Sequence, residues 1–183
     1  MLKKISFTLL SCLFLLGLFA QNTQVKYLSG KGPNDAVAWK FFCTSGMNSN
    51  KWTTILVPSC WEQQGFGKYD YGFAKDSIRG KETGFYQHRF KVDPSWKNKQ
   101  VNIVFEGVMT DAAVKINGKQ VGPSHHGAFY SFSYNITSFI NFETENELEV
   151  RVDKHSDNNS VNEAERKGDF WIFGGIFRPV FLE

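Results

Sequence analysis

The last sixteen residues, GDFWIFGGIFRPVFLE, hold a carboxylate, an indole and a guanidinium within ten positions: Asp169, Trp171 and Arg178. A carboxylate beside Gly168 suits the capping of a turn, and a tryptophan between Phe170 and Phe173 suits a core. A lone arginine in an apolar strand calls for an interior carboxylate, because an unpaired buried guanidinium is very costly. The histidines, His88, His125, His126 and His155, lack zinc spacing, and the adjacent pair would face opposite ways if extended. No metal and no cofactor is expected. The ten glutamates, Glu62 and Glu82 among them, read as solvated charge in loops or on wet strand faces, and none is expected to be catalytic. Cys43 and Cys60 lie in the apolar runs WKFFC and VPSCW. A buried free cysteine behaves there as a small hydrophobe, although an exported compartment would permit a disulfide between them. The triplets NIT at Asn135 and NNS at Asn158 match the glycosylation acceptor pattern, which arises often by chance.

These groups need a scaffold, and the sequence describes one. Residues 1–20 join Lys3 and Lys4 to an apolar run ending at Ala20, the pattern of a secretory signal peptide. The expected location is therefore secreted or periplasmic, with no membrane association after cleavage. Loss of the two lysines lowers the formal charge from +3 to +1, which gives no reason to expect a nucleic-acid partner. Residues 21–183 suit one domain.

Within it, Tyr86, His88, Phe90 and Val92 alternate with Phe85, Gln87, Arg89 and Lys91, and Leu148, Val150 and Val152 alternate with charged neighbours. Each run is a strand with one wet face. Similar runs at 36–43, 52–57, 101–108, 112–116, 128–134 and 176–182 bring the total to about eight strands. Asn117-Gly118 in VKINGKQVG marks a tight hairpin, and the only helical signal is a short one at 161–166. The expected fold is all-β, an antiparallel jelly-roll sandwich.

Three stretches then fall into register: VPSCWEQQGFG at 57–67, FEGVMTDAAVKINGKQVG at 105–122 and AERKGDFWIFGGIFRPVFLE at 164–183. Together they resemble the N-terminal sugar-binding domain of glycoside hydrolase family 2, the β-galactosidases, β-glucuronidases and β-mannosidases. The resemblance implies a galactose-binding-domain-like jelly roll ahead of an immunoglobulin-like domain and a catalytic barrel. The family's retaining reaction needs two carboxyl groups about 5 Å apart, placed on the barrel, and no stretch here matches it. The chain is accordingly expected to be a non-catalytic domain lacking the barrel, with a standalone lectin-like module as the alternative.

The resemblance further implies that Asp169 binds a hydroxyl of the terminal sugar in a complete enzyme and that Trp171 offers a stacking surface. Carbohydrate and a barrel-containing partner domain are the implied partners. One departure stands out: where several galactosidases place a sugar-contacting asparagine, YDYGFAKDS offers Tyr71-Gly72, which weakens any specific claim for galactose. A domain built to pack on a barrel should also expose a larger apolar patch than a monomer usually shows.

Overall fold

The computed structural model describes residues 22–75 and 77–183; the signal-peptide reading lies outside them. Among the described residues no helix is long and apolar enough to cross a membrane. Two antiparallel sheets form the sandwich. The larger orders β10 (His125–His126), β8 (Asp111–Ile116), β12 (Asn146–Asp153), β5 (Thr83–Phe90), β2 (Val37–Cys43) and β3 (Trp52–Val57), with β9 (Lys119–Gln120) beside β8. The smaller orders β1 (Lys26–Tyr27), β15 (Val180–Leu182), β6 (Asn102–Phe105) and β11 (Phe132–Asn135). Two short ribbons pair β4 (Asp70–Tyr71) with β13 (Trp171–Ile172) and β7 (Val108–Met109) with β14 (Gly175–Ile176).

The alternation expected from sequence governs the long strands. Leu148, Val150 and Val152 face inward along β12, and Tyr86 and Phe90 do so along β5, where Tyr86 pairs with Val150. They meet Ile103, Phe105, Val180 and Leu182 from the smaller sheet in one core. His88 is half-buried rather than buried, its ring stacked on Trp39 at 4.7 Å. Burial lowers its pKa, since the charged imidazolium loses hydration. His125 stacks on Phe132 at 3.9 Å and so links the two sheets, and no cluster of His, Cys, Asp or Glu suited to a metal exists among the described residues.

The expected strand at 128–134 forms as β11 only from Phe132, because residues 128–130 bend where Glu165 accepts from the Ala128 N–H (2.7 Å) and the Tyr130 hydroxyl (2.6 Å). The helix arrives as α1 (Asn159–Glu165), opened by the Asn158 side chain accepting from Ser160 N–H. Both cysteines are free. Burial pushes the Cys60 thiol up to about 11, which keeps it protonated and inert.

Asn117 (φ 52°) and Gly118 (φ 76°) both occupy the left-handed region, as the hairpin between β8 and β9 requires. The Asn117 side chain does more than tolerate the turn. Its Nδ2 donates to the Phe139 carbonyl and to Asn146 Oδ1, both at 2.9 Å, and its Oδ1 accepts from Glu147 N–H at 2.9 Å. Asn117→Ala therefore loses three hydrogen bonds and strains the turn, an expected loss of about 2 kcal/mol. A urea midpoint unchanged from the parent would show that neither effect operates.

Candidate functional site

The β4–β13 ribbon sets Tyr71 opposite Trp171 and Asp70 opposite Ile172. Because successive strand side chains point to opposite faces, Asp70 and Ile172 turn inward, and Tyr71 and Trp171 turn outward. The segments flanking the ribbon lie close together. A Cβ on Gly72 would lie 2.4 Å from the Gly168 carbonyl oxygen, so the two segments approach more closely than any side chain allows. Gly72 N–H donates to the Phe170 carbonyl at 2.8 Å and extends the pairing.

On the outer face the Tyr71 hydroxyl donates to Asp169 Oδ1. That hydrogen bond to the carboxylate, reinforced by its charge, raises the Tyr71 pKa. Asp169 is exposed, and Oδ1 is the oxygen Tyr71 engages. Tyr71 and Trp171 stand 5.9 Å apart between ring centroids, Tyr69 meets Trp171 at 6.2 Å, and Phe73 meets Tyr71 at 6.0 Å, all edge to face. Phe173 adds a fifth ring, 6.1 Å from Tyr69. Such tilted pairs satisfy the ring quadrupoles and hold a stable array. Trp171 is 56% exposed and Phe73 63%, so this ladder is an open apolar surface.

Three sequence expectations change here. Trp171 does not enter the core, because its strand is a two-residue ribbon whose inward position is taken by Ile172. Arg178 meets no carboxylate among the described residues: it is exposed, packs over the Phe177 ring at 5.1 Å and reaches toward the Phe129 carbonyl at 3.5 Å. Glu62 and Glu82 are not solvated; each is 1% exposed.

Those two carboxylates form, with Asp70, a buried cluster around Lys154. The ammonium lies 2.7 Å from Glu62 Oε1, 3.0 Å from Asp70 Oδ2 and 3.8 Å from Glu82 Oε2, and it donates to the Lys68 carbonyl at 2.5 Å. Burial raises the Glu62 pKa against the pull of Lys154. Glu62 Oε2 accepts from Gly174 N–H at 3.0 Å, and Asp70 Oδ2 from Gly80 N–H at 2.9 Å. Nothing local in the sequence marks Lys154 or these carboxylates as interior. Tyr71 did carry a signal, its departure from the asparagine pattern, and the structure brings it to Asp169.

What the arrangement offers chemically is a carboxylate for accepting hydrogen bonds from hydroxyls, with a broad aromatic surface next to it. Comparison with known proteins gives this a context. The model of glycosyl hydrolases family 2, sugar binding domain, matches residues 32–183. A β-galactosidase of Thermoanaerobacter pseudethanolicus is 40% identical over 102 residues, covering 55% of this chain and 14% of its own length. A putative β-glucuronidase of Formosa agariphila is 30% identical over 137 residues, covering 75% of this chain and 15% of its own. Among solved structures, a Bacteroides uniformis β-glucuronidase superposes with a TM-score of 0.61 at 32% identity, over 87% of this chain and 18% of that one. The 183 residues thus span less than a fifth of the length of these relatives.

Proposed function

The chain belongs to glycosyl hydrolase family 2 as its sugar-binding domain, and from that footing we propose that it is a non-catalytic module. In this reading it acts on carbohydrate together with an immunoglobulin-like domain and a catalytic barrel, in an exported enzyme of the β-galactosidase or β-glucuronidase kind. Asp169 accepts a hydroxyl of the terminal sugar and Trp171 lines the same subsite. The observation that carries the reading is the meeting of Asp169, Tyr71 and Trp171 on the outer face of one ribbon, beside an exposed aromatic ladder suited to a larger covering surface.

The balance of forces makes the site dependent on that cover. A millimolar dissociation constant requires about 4 kcal/mol. A sugar hydroxyl binding an exposed carboxylate replaces water and gains on the order of 1 kcal/mol, which does not offset the entropy lost on association. Galactose, glucuronic acid and mannose are accordingly expected to show no measurable binding at millimolar concentration. At several hundred millimolar, the Trp171 indole N–H signal in NMR is expected to shift, and Asp169→Ala to diminish that shift. Specific millimolar binding abolished by Asp169→Ala would favour a standalone lectin. A Trp171 signal indifferent to sugar, or to the loss of Asp169, would remove the site.

A further inference from the structure

Beneath the outer face of the β4–β13 ribbon lie the buried side chain of Ile172 and the buried charge cluster. Lys154 follows β12 directly and is 2% exposed. Its backbone N–H is held by the Glu82 carbonyl at 3.0 Å, so its stem is fixed to the large sheet. From there the ammonium reaches both sides of the ribbon. It pairs with Asp70, the inward residue of β4, and takes the Lys68 carbonyl two residues earlier. It also pairs with Glu62, whose other oxygen holds the N–H of Gly174, two residues beyond the inward Ile172 of β13.

We propose that Lys154 is the positioning residue of the sugar subsite: by clamping the inner face of the ribbon it aims Tyr71, and through Tyr71 the carboxylate of Asp169. The assignment of a subsite rests on the function proposed above; the clamp itself does not.

Strand geometry makes the connection rigid. Asp70 and Tyr71 are consecutive in a pleated strand, so anchoring one side chain inward fixes the direction of its neighbour outward. A two-residue ribbon has few backbone hydrogen bonds of its own and belongs to the low-stability part of a fold unless something else secures it. Arg166 assists from the same side, its guanidinium donating to the Phe173 carbonyl while Arg79 donates to the Arg166 carbonyl at 2.7 Å. The cluster also holds a group with no hydrogen-bond partner among the described residues, Glu82 Oε2. One ammonium thus serves three carboxylates, and its loss removes the contact that reaches both strands of the ribbon from the large sheet.

Local amide exchange separates positioning from general support. In Lys154→Met, the Gly72 amide is expected to exchange roughly tenfold faster or more, because opening of the ribbon no longer breaks the clamp. The Trp171 ring signals should move toward those of free tryptophan as the contacts with Tyr69 and Tyr71 average out. In Leu148→Ala, which weakens the core of β12 instead, core amides should exchange faster while Gly72 and Trp171 stay as in the parent. Asp70→Asn keeps the side-chain shape and weakens the pairing with Lys154; it should move Gly72 and Trp171 the same way by a smaller factor, and it decides the matter should Lys154→Met not fold. Parental Gly72 protection and Trp171 signals in the folded variants would overturn the proposal. None of these readouts involves sugar, so they stand or fall separately from the Asp169 titration.

Discussion

Lys154→Met is expected to lower the unfolding free energy by about 3–5 kcal/mol at neutral pH, the usual cost of removing one partner from a fully buried ion pair. The methionine fills much of the space, so packing is not the main loss. What is lost is the cation: Glu62, Asp70 and Glu82, each no more than 4% exposed, are left to repel one another in a medium that screens poorly.

The deficit should depend on pH with a definite sign. Burial already raises the Glu62 pKa with Lys154 in place, and removing the cation raises it further. A carboxyl whose folded pKa lies above its unfolded value favours folding at pH below the unfolded value, and that contribution is lost as pH climbs through the folded one. The variant should therefore be least penalised in acid. Its deficit should shrink as pH falls from 7 toward the ordinary glutamate value of 4.5. Urea denaturation of parent and variant at both ends of this range measures the effect. A deficit that is equal at the two pH values, or below about 1 kcal/mol throughout, would mean that the cluster is not held by charge.

Trp61→Ala is expected to cost a similar amount, about 3–5 kcal/mol, for an unrelated reason. Trp61 is fully buried at the start of the turn Trp61–Gln64, its ring 6.1 Å from Phe41. Its backbone N–H donates to the Gly174 carbonyl at 3.0 Å, while its neighbour Glu62 receives the Gly174 N–H. Removing the indole leaves a cavity walled by Phe41 and the close glycine backbones, which have no side chains to move into it. This loss should not vary between pH 5 and pH 7, since no titrating group changes partner. Calorimetric unfolding of the variant within about 1 kcal/mol of the parent would show that the neighbouring segments collapse into the gap.

How much of this was legible before folding differs from element to element. The long strands were legible because each of their residues must choose one of two faces, and a run such as Leu148, Val150 and Val152 repeats that choice often enough to be read. The hairpin was legible because Asn117 and Gly118 are the residue types that accept positive φ. The family was legible from three motifs in register, and the expectation that Asp169 meets a sugar came with that resemblance, not from the residues themselves.

Tertiary structure alone decided the rest. The direction of Trp171 could not be read from a two-residue strand, which has no period, and its aromatic neighbours pointed toward a core that Ile172 occupies instead. Whether a glutamate is solvated depends on whether a cation meets it, and Lys154 reaches Glu62, Asp70 and Glu82 only after β12, β5 and β4 have assembled. Arg178 met no carboxylate among the described residues because its side chain stays at the surface, over the Phe177 ring, and never enters the interior. Local sequence sets the pattern along a strand, whereas the burial of a charge is a property of the pair, and distant pairs form only when the chain folds.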